Sequence, residues 1–165
     1  MKLVIGNKNY SSWSLRPWLL LHANGVEFTE VQESLRQDNI AYRLGQYSGS
    51  RKVPVLIDQA LTVWDSLAIC EYISEKYLDG RGWPSDQGAR AVARSICTEM
   101  HSGFSALRSE LPMNCRMKTD IILSKAVSAD IRRIEAIWSE YARKSDDGGI
   151  FLFKDFNISD CFFAP

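Results

Sequence analysis

The chain lacks a surplus of charge of either sign. Among its 165 residues, twenty Lys+Arg face twenty Asp+Glu, so nothing in the balance draws it to a phosphate backbone or an anionic lipid surface. Neither nucleic acid nor a membrane is expected as a partner. A long apolar run is missing too. Runs such as Trp18 to Leu21 are far below the roughly 20 residues that cross a bilayer. The first residues, Met1-Lys2-Leu3-Val4-Ile5-Gly6, are too short an apolar stretch for a signal peptide. The four cysteines, Cys70, Cys97, Cys115 and Cys161, lie far apart, with no C-x-x-C pair and no His at metal-ligand spacing. That excludes a disulfide framework and a zinc motif, and reads as reduced, mostly buried thiols without a metal. Internal repeats and low-complexity tracts are also lacking. What is present is an ordinary globular mixture, 45% hydrophobic and 24% charged, which argues against disorder. It suits one domain or two small ones in the cytoplasm.

The first eighty residues change period repeatedly. Lys2–Ile5 reads as a strand ending at Gly6, and Leu15–Ala23 as a helix stopped by Asn24-Gly25. Val26–Val31 alternates as a strand, and Val53–Ile57 is a second apolar strand. A turn at Asp58-Gln59 leads into Leu61–Val63, with irregular chain before Val53. From Asp65 the period is helical, with Ile69, Ile73 and Tyr77 on one face. This order predicts a small mixed sheet with helices on its faces. Gly80, Gly82 and Pro84 mark a linker. Beyond it only helices are expected: Gly88 to about Ser109, closed by Leu111-Pro112, and Thr119 to about Lys144, ended by Ser145–Gly149. The second has Val127, Ile131, Ile134, Trp138 and Tyr141 as a narrow apolar stripe. A further helix starts at Asn157, with Asp160 at its third position and Phe156 as a staple.

Four features of the first half carry chemical interest, each with a plain structural alternative. Asn9–Trp18 is a polar turn into a helix, whose N-terminus attracts an anion; alternatively Ser11, Ser12 and Ser14 are only cap candidates. Pro54 opens a strand, which implies an edge, a bulge or a cis bond. A cis bond would turn the Val53 backbone toward a peptide-like ligand, whereas a trans Pro at a strand start needs no ligand. Asp65-Ser66 opens a helix and either caps it or holds a second carboxylate and an ammonium group. Arg51-Lys52 is either a solvated surface or a counter-charge beside Val53.

The order strand, S-S-x-S-x-R, helix, V-P strand, [DE]-S helix, linker, helical domain resembles the cytosolic glutathione transferases, and most of all their serine-type, zeta-like bacterial members. The likeness continues through Trp83-Pro84, Glu99–Phe104, Leu111–Asn114 and the Asn157–Asp160 box. It implies a thioredoxin-like α/β domain over residues 1–80 with a mixed four-stranded sheet, a linker over 81–87, and an all-α domain over 88–165. The family's chains are usually longer. By that measure the helical domain is expected to be incomplete at its C-terminus, leaving apolar surface around Val127–Tyr141.

The resemblance also implies roles. The family's serine precedes the helix-one Arg by five residues, which is Ser11; Ser12 and Tyr10 are its rivals. Ser11 would donate a hydrogen bond to the glutathione sulfur, in a detoxifying conjugation with a small hydrophobic electrophile. Val53, ahead of a cis Pro54, would pair with the tripeptide's cysteinyl backbone. Asp65 and Ser66 would hold its γ-glutamyl end, and Lys52, with Arg51, would offset its carboxylates. The electrophile would lie between the domains, near Trp13, His101 and Phe104. Zeta-type members have Cys where this chain has Trp13, which counts against chemistry through a mixed disulfide. Glutathione is the expected co-substrate and a homodimer the expected assembly. The alternative is a non-catalytic, glutathione-transferase-like binding protein. One serine is chemically adequate. Lowering a thiol pKa from about 8.5 by about two units takes about 2.7 kcal/mol. A hydrogen bond to a charged acceptor supplies about 1.5–3 kcal/mol and a helix N-terminus about 0.3–1 more.

Overall fold

Strand β1 (Lys2–Ile5) is followed by helix α1 (Ser12–Ala23) and β2 (Thr29–Gln32), and β1 and β2 lie parallel. A parallel neighbour needs a crossover, and α1 supplies it. After α2 (Ile40–Gly45), strands β3 (Val55–Asp58) and β4 (Leu61–Trp64) form an antiparallel hairpin, and α3 (Ser66–Tyr77) follows. The sheet order is β2-β1-β3-β4, with β1 antiparallel to β3. Leu3, Val4 and Ile5 are all buried, as are Val55 and Leu56. Successive strand residues point to opposite faces, so both faces of the two central strands are covered.

The computed structural model describes all 165 residues, which divide into one unit over Met1–Gly82 and another over Trp83–Ala164. The second unit contains α4 (Gln87–Ser102), α5 (Ser105–Glu110), α6 (Lys125–Tyr141), a ribbon of β5 (Ala142–Lys144) and β6 (Ile150–Leu152), and α7 (Ile158–Phe163). The Arg133 guanidinium grips both oxygens of Glu99, at 2.6 and 2.8 Å, and ties α6 to α4. The core of this unit includes Ile96, Cys97, Val127, Ile137, Leu152, Cys161 and Phe162. No helix is long and apolar enough to cross a membrane. Cys70, Cys97 and Cys161 are buried free thiols and Cys115 is an exposed one.

Several elements differ from the sequence expectation. α1 begins at Ser12, one turn before Leu15. Its stop is as expected: Gly25 has φ 64°, and the Val26 N–H reaches back to the Leu21 carbonyl at 3.0 Å. That bond takes Val26 out of β2, which starts at Thr29. α2 lies in chain read as irregular; with Leu44 its one buried residue, it has too short an apolar face to show a period.

The helix expected over Gly88–Ser109 is broken at Gly103-Phe104. A Cβ on Gly103 would sit 2.8 Å from the Glu99 carbonyl oxygen, and Phe104 adopts φ 58°. Thr119–Leu123 is not helical, because Ser124 caps α6 by accepting from the Val127 N–H at 3.1 Å. At the other end Ala142–Lys144 leaves the helix to pair with Ile150–Leu152. The stripe on α6 is rotated as well. Val127 is buried, but the second buried residue is Ile137, while Ile131, Ile134, Trp138 and Tyr141 are half-buried.

Candidate functional site

Every long helix except α1 starts with a side-chain cap. Asp65 caps α3, Asp86 caps α4, and Ser124 caps α6. Ser11 occupies the same position on α1 and makes no such bond. Its hydroxyl instead donates to Ser14 Oγ at 2.8 Å, and Ser14 Oγ accepts from the Gly6 N–H at 3.1 Å. The helix start is held by backbone alone, with the Leu15 N–H on the Ser11 carbonyl at 3.1 Å.

Ser11 is half-buried and lines a cleft of about 400 Å³ with Tyr10, Ser12, Trp13, Lys52 and Val53; Leu35, Leu44 and Arg51 complete it. A second cleft, of about 450 Å³, reaches Ser11 from the side of Gln32, Ser34 and Arg36. A smaller apolar one, of about 220 Å³, reaches it between Ile5, Leu15 and Trp18. Ser11 thus lines all three openings. The cations Arg51 and Lys52 are exposed and the Val53-Pro54 bond is cis, with Pro54 buried ahead of β3. Pro54 is on neither an edge nor a bulge: β3 is a central strand and begins at Val55.

Of the sequence-predicted site residues, then, Ser11, Trp13, Lys52 and Val53 come together in one cleft of the first unit. Asp65 and Ser66 are placed differently. Asp65 Oδ1 accepts from the Leu67 N–H at 2.8 Å and the Ala68 N–H at 3.4 Å, so its side chain is a helix cap. Ser66 is 1% exposed, and its Oγ accepts from the Arg16 guanidinium at 3.4 Å. Its oxygen is thus partnered by the buried Arg16. That same guanidinium lies 4.2 Å from the centre of the Trp13 ring, which gives Trp13 a packing role. In the second unit, His101 stacks near Phe162 at 6.3 Å, and Phe104 is buried at the α4–α5 break.

The sequence reading missed Leu35, Leu44, Gly6 and Ser14. Gly6 and Ser14 carried a weak signal, a glycine directly after a strand and a third serine in the turn. A Cβ on Gly6 would stand 3.1 Å from Ser11 Oγ, so the glycine keeps the space that hydroxyl occupies.

The strongest ionic cluster lies away from the cleft. Asp58 Oδ2 accepts from Lys76 Nζ and Tyr72 Oη, each at 2.8 Å, and from Tyr77 Oη. The hydrogen bond from Lys76 comes first among the causes that hold this carboxyl well below the usual range, and the same contact pushes the Lys76 ammonium up. The cluster staples α3 to the β3–β4 hairpin and uses all its groups in doing so.

A thioredoxin-like sheet unit followed by a helical unit is the arrangement of the glutathione transferase fold. Solved structures with that fold overlie almost the whole chain. A glutathione transferase homolog from Burkholderia with bound glutathione matches at TM-score 0.72 and 21% identity, over 99% of this chain and 78% of its own. A glutathione S-transferase from the Antarctic clam Laternula elliptica matches at TM-score 0.73 and 20% identity, over 98% of this chain and 74% of its own. Residues 10–76 match the family model for the glutathione S-transferase N-terminal domain. Among curated proteins, glutathione S-transferase U28 of Arabidopsis thaliana is 35% identical over 94 residues, 56% of this chain and 42% of that protein. A probable maleylacetoacetate isomerase of Caenorhabditis elegans is 29% identical over 99 residues, 60% of this chain and 46% of that protein. The matched stretch is less than half the length of either curated relative.

Proposed function

We propose that this chain is a serine-type glutathione transferase, in which Ser11 stabilises the thiolate of glutathione for attack on a small hydrophobic electrophile. The observation that carries this reading is the start of α1. The residue that ought to cap the helix leaves it uncapped and lines a cleft with Lys52 and Val53. The match of residues 10–76 to the N-terminal domain model supports the same class.

In this reading the bound thiol loses its proton to solvent. The resulting sulfur anion accepts a hydrogen bond from Ser11 Oγ and lies at the positive end of α1. The anion then forms a bond to an electrophilic carbon as the leaving group departs with its electron pair. Val53 pairs with the cysteinyl backbone, and Lys52 and Arg51 offset the carboxylates. Asp65 and Ser66 hold the γ-glutamyl end through the first turn of α3, where Ser66 offers its N–H while its Oγ accepts from Arg16. Trp13, His101 and Phe104 are the proposed neighbours of the electrophile. Tyr10 is the weaker rival of Ser11, being 50% exposed. A homodimer in the cytoplasm belongs to the same reading, and light scattering tests the dimer.

The test is Ser11→Ala, assayed with glutathione and an aryl halide. The rate falls by about two orders of magnitude if Ser11 supplies the two pH units of thiol activation. Full activity in the variant removes Ser11 from the mechanism. Calorimetry with glutathione decides between an enzyme and a non-catalytic scaffold, since a scaffold need not bind it.

A further inference from the structure

Directly behind Ser11 sits a second hydroxyl with no part in the mechanism above. Ser14 is 3% exposed, its Oγ lies 2.8 Å from Ser11 Oγ, and it accepts from the Gly6 N–H at 3.1 Å. We infer that Ser14, held by Gly6, is a positioning residue that aims the Ser11 proton at the bound thiolate. The inference rests on the thiolate reading of Ser11.

The argument turns on one proton. When Ser11 donates to Ser14, the Ser11 proton points into the protein, and only a lone pair faces the cleft. A lone pair repels a thiolate. The hydroxyl pair has a second arrangement, because hydroxyl protons rotate and each oxygen both donates and accepts. In it the Gly6 N–H donates to Ser14 Oγ, Ser14 donates to Ser11 Oγ, and the Ser11 proton faces outward. A negative sulfur over the cleft selects this arrangement, since it attracts the proton and repels the lone pair. Ser14 then has a partner for its proton and for its oxygen, and Ser11 keeps an acceptor bond on its inner side. A chain of hydrogen bonds running one way polarises each member, so the outermost donor is strengthened by the two behind it. No covalent bond changes and no proton leaves the protein. Gly6 has a second part in this device. Any Cβ there would press on Ser11 Oγ at 3.1 Å and on Leu35 at 3.0 Å, so the residue that anchors Ser14 also leaves Ser11 its place.

The experiment titrates the ultraviolet absorbance of glutathione thiolate bound to the wild-type chain, Ser14→Ala, Ser14→Thr and Gly6→Ala. Calorimetric affinity for S-methylglutathione, which has no thiol to ionise, monitors the integrity of the site. Ser14→Ala is expected to raise the bound thiol's pKa by about half a unit, roughly a threefold loss of thiolate below that pKa. S-methylglutathione affinity should stay unchanged. Ser14→Thr keeps the hydroxyl and restores the wild-type value. Gly6→Ala leaves Ser14 in place but displaces Ser11 Oγ, and raises the pKa as well. An unshifted pKa in Ser14→Ala overturns the inference while leaving Ser11 its role. A raised thiol pKa with an equal proportional loss of S-methylglutathione affinity makes Ser14 purely structural and overturns it too. A wild-type chain that binds glutathione without lowering its thiol pKa overturns the thiolate reading and this inference together.

Discussion

Helices α1 and α3 belong to the same unit and each follows a strand of the same sheet, yet they begin in opposite ways. At α3 the N-cap Asp65 turns its carboxylate onto two backbone N–H groups. At α1 the N-cap Ser11 makes no cap bond, and its hydroxyl donates to the Ser14 side chain in the first turn of the same helix, beside a cleft. Ser and Asp are both good capping residues. The difference shows that residue type at a helix start does not reveal its use. A capping residue that forgoes the cap gives up about 1 kcal/mol of helix stability, and its polar atom is available to a ligand. Asp86, Ser124 and Asn157 follow the α3 pattern, whereas α1 shares its uncapped start with the short helices α2, at Asn39, and α5, at Phe104.

The largest expected effect separates rate from stability. Ser11→Ala lowers kcat toward an aryl halide by about a hundredfold, but hardly shifts thermal unfolding, because no cap bond is lost. If its melting temperature falls as far as that of Asp65→Ala, the contrast between the two helix starts is wrong.

A second difference, of about 3 kcal/mol, involves buried carboxylates. Asp58 accepts from a cation and two phenols. Asp160 accepts only backbone N–H groups, from Leu152 at 2.8 Å and Asn157 at 2.9 Å, within the capping box of α7. Burial lifts the Asp160 carboxyl to about 6, against the pull of those two N–H donors. Its folded pKa lies above the unfolded value, so its contribution to stability is fully present below about pH 4 and is lost as pH rises through about 6. The lift is worth about 3 kcal/mol. Asp58 has the opposite sign. Its folded pKa is depressed, so its contribution is present above about pH 4 and lost as pH falls further. Hydrogen-exchange protection in α7 should therefore rise between pH 7.5 and 5, while protection in β3 and α3 stays level. Asp160→Asn should flatten the α7 response.

Much of the fold was legible where its signals are local. The apolar runs at Leu3–Ile5 and Val55–Ile57, the Asn24-Gly25 stop and the Asn157–Asp160 box each act within a few residues of themselves. The losses occurred where distant chain decides. Ala142–Lys144 forms a strand only because Ile150–Leu152 folds back on it. The site divided in the same way. Ser11, Lys52 and Val53 were found through the order of motifs along the chain and share a cleft. Ser14 and Gly6 were passed over, since their part depends on how closely the end of β1 approaches α1. Asp65 and Ser66 are expected to meet a ligand; in the structure Asp65 Oδ1 caps α3 and Ser66 Oγ accepts from Arg16.

The smallest effects test the cap at Asp65. Its φ of 75° lies in a region that Asn and Asp enter more readily than most residues. Asp65→Ala removes the acceptor from the Leu67 and Ala68 N–H groups and puts a Cβ without polar compensation at that φ. Its unfolding free energy should drop by about 1 kcal/mol. Asp65→Asn retains an acceptor oxygen and tolerates the backbone, and should cost only about a few tenths of that unit. The charge then becomes the sole difference between Asn and the wild type. If Asp65 also faces the ammonium of the γ-glutamyl end, Asp65→Asn weakens glutathione binding while leaving stability almost intact. If Asp65 is a cap and nothing more, affinity and stability are both preserved in Asn and only Ala lowers stability. Denaturant unfolding and glutathione calorimetry on this pair therefore show whether α3, like α1, lends its first residue to a ligand.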